Sequence, residues 1–371
     1  MRFQKRVRRK KISDAANIFS TERMSQSIMK LSFLMKYNPF IYLIGFILFF
    51  VSCSSPDPKP DSTQSNGNPT STGDPLPSWN DGQLKKDIVD YVTRVTKEGS
   101  VDFIPVENRV ATFDNDGTLW AEKPYVQELF AFYQVKKMVE ANPALAKKQP
   151  FKAVIEHDKA FFEKGGDKAL LQLVGATHTG MTEEEFESSA NDFANTVRYP
   201  GRNVSLKEIT YQPQIELLNY LRANGFKTFI CTGGTIEFVR SISSQLYGIP
   251  REQVIGTTFK YKFVDSSNQI LRTSELEIFN DKINKPIGIQ EHIGQRPVFA
   301  CGNEGGAGDI YMLRYSQGSK YPSFQMIVNH DDSTREFFYQ EEDSASLKAA
   351  AKNNWHVVSM KNDWKEIFTK Q

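Results

Sequence analysis

Four times along this chain a short apolar run breaks into polar or glycine residues and then into a helical pattern. "RVATFDNDGTLW" (109–120) opens the series. "KTFICTGGTIEFVRSI", "RPVFACGNEGGAGDIYML" and "SFQMIVNHDDSTREFF" continue it, the last with a weaker helix. Strand–loop–helix units repeated in this way predict an α/β fold, a parallel sheet covered by helices. In such sheets ligands bind outside the carboxyl ends of the strands. The chemically distinctive residues all stand there: Asp114, Asp116, Thr232, Asn303 and Asp309. They are expected to converge on one rim.

About ninety residues, 121–210, separate the first unit from the second and read as helices. "VQELFAFYQVKKMV" carries apolar residues three and four apart. "MTEEEFESSANDFAN" opens with Thr182 and Glu185 at capping-box spacing, flanked by Met181 and Phe186 as a hydrophobic staple. This segment is expected to be a helical cap inserted after the first loop, able to close over the rim and exclude water. A further helix is expected in "QLKKDIVDYVTRVTKEG", stopped by Gly99, so folded structure should begin near Trp79. The core would then comprise 79–120 and 211–371.

The N-terminal part has a different character. "MRFQKRVRRKK" is basic, "FIYLIGFILFFV" (40–51) is an apolar run, and "FVSC" resembles a bacterial lipoprotein signal ending at Cys53. The run is short for a membrane span, which needs about twenty residues, and suits a signal-peptide core. The expectation is a signal peptide over 1–52, with Met35 as an alternative start, lipidation at Cys53, and a cell-envelope protein facing the periplasm or exterior. The alternative is an uncleaved anchor helix. Residues 54–78, rich in Pro, Ser, Asn and Asp, read as a flexible tether. Residues 1–52 hold 10 of the 46 basic and 2 of the 44 acidic residues. The remainder carries 36 basic against 42 acidic, a net −6 that argues against a nucleic-acid partner. Cys231 and Cys301 both close apolar runs, which favours buried thiols over a disulfide.

"DNDGT", "CTGG", "NKP" and "GNEGGAGD" resemble, in order and spacing, the four motifs of the haloacid dehalogenase-like hydrolases, in particular phosphoserine-phosphatase-like members. The resemblance implies a magnesium-dependent phosphomonoesterase acting on a small-molecule phosphate ester. Asp114 would be the nucleophile and form an aspartyl-phosphate. Asp116 would protonate the leaving oxygen and then activate water. Gly117 would let the backbone approach the phosphoryl group. Thr232 and Gly233 would bind its oxygens, and Lys285 would neutralise the charge. Mg2+ would sit among Asp114, Asp116 through its backbone, Asn303 and Asp309. The fourth motif is two residues longer than usual, and Glu304 competes with Asn303 for the metal. Lys282 competes with Lys285. Glu122, Lys123 and Tyr125 lie close enough to the first motif to touch substrate, whereas His178 is read as a surface or core residue. A phosphotransferase, a dehalogenase or a non-catalytic surface-binding lipoprotein are the alternative functions. The second aspartate speaks against the dehalogenase, because halide departure needs no acid.

Overall fold

The computed structural model describes residues 73–305 and 308–370. The signal-peptide, Cys53 and most of the tether expectations lie outside the described residues. Among those described, no helix is long and apolar enough to cross a membrane.

Seven strands form one sheet in the order β4-β3-β2-β1-β5-β6-β7. β1 is Val110–Phe113, β2 Lys227–Thr235, β3 Val254–Val264, β4 Gln269–Ile278, β5 Phe299–Asn303, β6 Phe324–Asn329 and β7 His356–Ser359. All neighbours are parallel except β4, which runs antiparallel to β3. β1 and β5 are buried at every position, as expected of central strands covered on both faces. Helix α1 (Gln83–Thr96) buries Leu84, Ile88, Tyr91, Val92 and Val95, a stripe at helical spacing. Cys231 on β2 and Cys301 on β5 flank β1, and both are buried free thiols.

Between β1 and β2 run α2 (Val126–Ala141), α3 (Phe151–Ile155), α4 (Lys159–His178) and α5 (Glu183–Thr196). These are the inserted helices. α4 is kinked at Gly166. Thr182 and Glu185 form the expected capping box on α5. After α6 (Gln212–Ala223), α7 (Ile236–Tyr247) brings Phe238 against Phe130, which Phe186 and Phe193 also contact, so the insertion shares the main hydrophobic core. His178 is a core residue. Its ring lies 5.2 Å from Phe130 and 5.0 Å from Phe186, and its Nδ1 stands 2.7 Å from the Val174 carbonyl oxygen.

Two expectations need correction. The sheet is not wholly parallel: the β3–β4 hairpin adds an antiparallel edge. The helix expected within "NHDDSTREFF" is absent, and α10 begins only at Ala345 (Ala345–Asn353). The reason is local competition for the backbone. Asp332 accepts the amides of Thr334 and Arg335 at 3.1 Å each. Arg335 in turn donates to the carbonyls of Met360 and Trp364. These bonds hold 330–344 as a loop folded back over the rim.

Candidate active site

β1 delivers Asp114 to the rim, where its backbone N–H donates to the Cys301 carbonyl at 2.9 Å. Helices α8 (Asn284–Ile293) and α9 (Asp309–Gln317) bring the partners. Lys285, in the first turn of α8, donates to Asp114 Oδ1 at 2.7 Å and to Asp309 Oδ1 at 2.5 Å. All three side chains are buried. Asp309 also accepts the Asn303 backbone N–H at 2.9 Å through Oδ2, which ties the start of α9 to the end of β5. Lys285 is therefore the lysine at the rim; Lys282 lies outside the cavity lining.

Asp116 is held separately. Its Oδ1 accepts the Trp120 indole N–H at 2.9 Å. Burial pushes its carboxyl up to about 6, with Glu122 adding to the effect. Burial, then repulsion from Asp309, also holds Asp114 well above the usual carboxylate range, against the pull of Lys285. Asp309 is likewise raised by burial.

A cavity of about 300 Å³ opens over these groups. Asp114, Asp116, Gly233, Lys285, Asn303 and Asp309 line it, as expected, but Thr232 and Gly117 do not. Thr232 is buried, and its hydroxyl accepts the Gly234 N–H at 3.0 Å. Gly117, at φ +72°, serves a different close approach from the one expected. A Cβ there would stand 2.0 Å from Asn303 Nδ2 and 2.5 Å from the Tyr339 hydroxyl. Asn303 Nδ2 donates to Glu122 at 3.2 Å and to the Tyr339 oxygen at 3.1 Å, and among the described residues its Oδ1 has no hydrogen-bond partner. Glu304 turns elsewhere: its Oε1 accepts the Glu341 N–H at 3.0 Å, and it does not line the cavity.

The "CTGG" turn is a bulge. Cys231 faces Ile255 and Thr235 faces Thr257, so β2 spends four residues where β3 spends two. Gly233 and Gly234 are thrown towards the cavity. Gln127 of α2 lies on this bulge, accepting from the Thr235 N–H at 2.7 Å and hydroxyl at 3.0 Å. A Cβ on Gly234 would stand 1.7 Å from Gln127 Nε2, so only glycine admits the contact.

Motif matching does not single out Gln127, Glu128, Thr235, Asp281, His330 or Tyr339. His330 is fully buried, with Nε2 2.9 Å from the Gly117 carbonyl oxygen and Nδ1 3.4 Å from Glu336. Tyr339 stacks on its ring at 4.2 Å, and Tyr211 donates to Glu336 at 3.0 Å. Of the secondary candidates, Glu122 and Tyr125 line the cavity. Lys123 is held by Glu122 and Tyr125.

The strand-end carboxylates, the lysine between two of them and the helical insertion all fall within the match to one family model. The model for haloacid dehalogenase-like hydrolases covers residues 111–314, more than half of the chain. The chain belongs to the haloacid dehalogenase-like hydrolase family. A protein of unknown function from Anaerococcus prevotii has the same fold, with a TM-score of 0.51 at 14% identity over 76% of this chain and 94% of its own. A protein of unknown function from Bordetella pertussis aligns with a TM-score of 0.44 at 13% identity, over 68% and 99%. A phosphoserine phosphohydrolase-like protein from Francisella tularensis aligns with a TM-score of 0.36 at 17% identity, over 67% and 94%. No curated protein matches this haloacid dehalogenase-like chain.

Proposed function

We propose that this hydrolase is a phosphomonoesterase working through an aspartyl-phosphate. The observation that carries the reading is the division of labour between two neighbouring carboxylates. Asp114 is paired with Lys285 at 2.7 Å, while Asp116 is hydrogen-bonded to an indole and raised to about 6. Burial raises both carboxyls, but only Asp114 has an ammonium partner to favour its ionised form, which suits a nucleophile, while Asp116 keeps a proton to give.

Lys285 takes Asp114 Oδ1 and leaves the other oxygen without a hydrogen-bond partner among the described residues. Asp114 would attack phosphorus as the phosphorus–oxygen bond to the alcohol breaks. The leaving oxygen takes the proton of Asp116. Because Trp120 occupies Oδ1, that proton resides on Oδ2. Asp116, now ionised, would accept a proton from water as the water oxygen attacks phosphorus, releasing phosphate and restoring Asp114. The Gly233 amide and the ammonium of Lys285 would meet the charge that develops on the transferring group. A halide leaving group would give Asp116 nothing to protonate, which disfavours dehalogenation.

The donors suit magnesium. Among the described residues no three acidic, histidine or cysteine side chains form a ready-made cage. Asp114, the Asp116 carbonyl and Asn303 Oδ1 would instead supply one carboxylate and two neutral oxygens, with Asp309 bound to Lys285 behind them. Two buried carboxylates, Asp114 and Asp309, share the single ammonium of Lys285, a negative excess that a divalent cation would offset. A bound Mg2+ would neutralise charge on the phosphoryl oxygens.

The test is release of phosphate from an aryl phosphate by the purified protein, with trapping of the phosphoryl group on the chain. Activity should vanish on chelation and return with magnesium. Absence of release from any monoester with magnesium present overturns the proposal, as does a phosphoenzyme that survives Asp114→Asn. For localisation, we propose the cell envelope, on the lipoprotein-like "FVSC" sequence. Mass spectrometry showing an intact residue 1 and no lipid at Cys53 would remove that reading.

A further inference from the structure

We infer that the ester accepted here carries no second anionic group and that its alcohol bears an ammonium, making it a phosphate monoester of a small amino alcohol. This rests on the phosphatase reading and concerns the wall of the cavity that the inserted helices supply. Among the described lining residues Lys285 is the only cation, and both nearby carboxylates already engage it. No arginine or histidine lines the cavity. Lys123, just outside it, is tied to Glu122 and lies 3.8 Å over the Tyr125 ring.

The carboxylates exceed what these cations and one divalent ion at the phosphoryl end would balance. Asp281 lies beside the Gly233 bulge and Gly308, at the reacting end, and Glu128 stands in the first turn of α2 on the insertion. Glu128 lines the cavity, is half-buried, and has no hydrogen-bond or ion-pair partner among the described residues. Burial raises its carboxyl, with only the distant pull of Lys123 opposing, so an additional cation would be stabilised there. A substrate carboxylate or second phosphate on this wall would meet Glu128 with no guanidinium to receive it. Leu170, Leu171, Val174 and Phe279 complete the wall and suit a short methylene chain. The cavity, about 300 Å³, is of small-ligand size and holds a phosphate ester of a short alcohol.

Three esters isolate the point: propyl phosphate, O-phosphoethanolamine and O-phosphoserine. The second replaces a terminal methyl by an ammonium, and the third adds a carboxylate. Expected is a kcat/KM for O-phosphoethanolamine about tenfold or more above both others. Glu128→Gln should bring its advantage over propyl phosphate to within about threefold, acting through KM. O-phosphoserine turned over as well as O-phosphoethanolamine, or an advantage unchanged in Glu128→Gln, overturns the inference. An aryl phosphate hydrolysed while the three esters show no such order leaves the phosphatase reading standing and removes this one. If no ester, aryl phosphate included, is hydrolysed, both fall.

Discussion

The two walls of the cavity are built differently. On the sheet side, Asp114, Lys285 and Asp309 grip one another at 2.7 and 2.5 Å, and each is pinned by a strand end or a helix start. On the insertion side, Glu128 has no such partner, and Leu170 on α4 is exposed. Charges held by charges in a buried rim are oriented before substrate arrives, which is what stabilising a transition state requires. A lone carboxylate among aliphatic side chains is ordered by the ligand instead. The rim is therefore assigned the chemistry and the insertion the choice of ester.

Substitutions on the rim should break the contrast most severely. Asp114→Asn should lower turnover on the order of 10⁴-fold or more for every ester, since the amide is a poor nucleophile. Phosphate release from an aryl phosphate measures this. Asp116→Asn should cost about 10²–10⁴-fold for alkyl esters and less in forming the intermediate from aryl esters, which need little protonation. Comparing burst and steady-state rates separates the two steps. A uniform loss across leaving groups would remove the acid role.

The loop behind the rim should matter less. His330→Ala frees the Gly117 carbonyl and should reduce kcat about tenfold with little change in KM, because the first loop loses one of its fixings. His330→Gln, which keeps a side-chain N–H donor, should recover part of the loss. Equal defects in both variants would make His330 a packing residue only.

On the insertion side the expected effect is on stability rather than rate. Burial, then Arg272, depresses His178 from 6.5 to about 3. The folded state thus binds fewer protons than the unfolded state between these values. The contribution is complete above pH 6.5 and is lost as pH falls towards 3. At pH 5 the loss is about 2 kcal/mol. His178→Phe should flatten the dependence, seen as urea midpoints that converge between pH 7.5 and 5. An unchanged slope would place the acid sensitivity elsewhere.

What was legible in the sequence follows the same division. Asp114, Asp116, Asn303 and Asp309 end or follow apolar strands, so local pattern plus the rule for parallel sheets located them. Lys285 was separable from Lys282 by motif alone, and the structure agrees. The β3–β4 hairpin was not foreseen. Tyr261, Phe263 and Ile270 are exposed there, so apolar residues do not mark one buried face. Nothing near His330 in sequence announces its contact with Gly117, 213 residues away. Thr232 and Gly117 show the limit of motif matching: the residue types are as expected, but the neighbours they touch are not.

Two hydrogen-bonded seams tie the inner side of the insertion to the sheet domain, beside the Arg251–Glu187 ion pair and the core shared round Phe130. One is Gln127 on the Thr235 backbone. The other joins the α4–α5 turn to β4: Gly180 N–H donates to the Arg272 carbonyl at 2.8 Å, and Arg272 N–H to the Met181 carbonyl at 3.1 Å. These ties and the shared core hold α2 and α5 against the sheet domain, whereas no hydrogen bond among the described residues joins α3 or the first half of α4 to it, and Gly166 stands as a joint between the two parts. The atoms nearest Gly233 would barely shift if that outer edge swung. A ligand would thus meet a stationary rim beneath a wall that yields only at its outer edge.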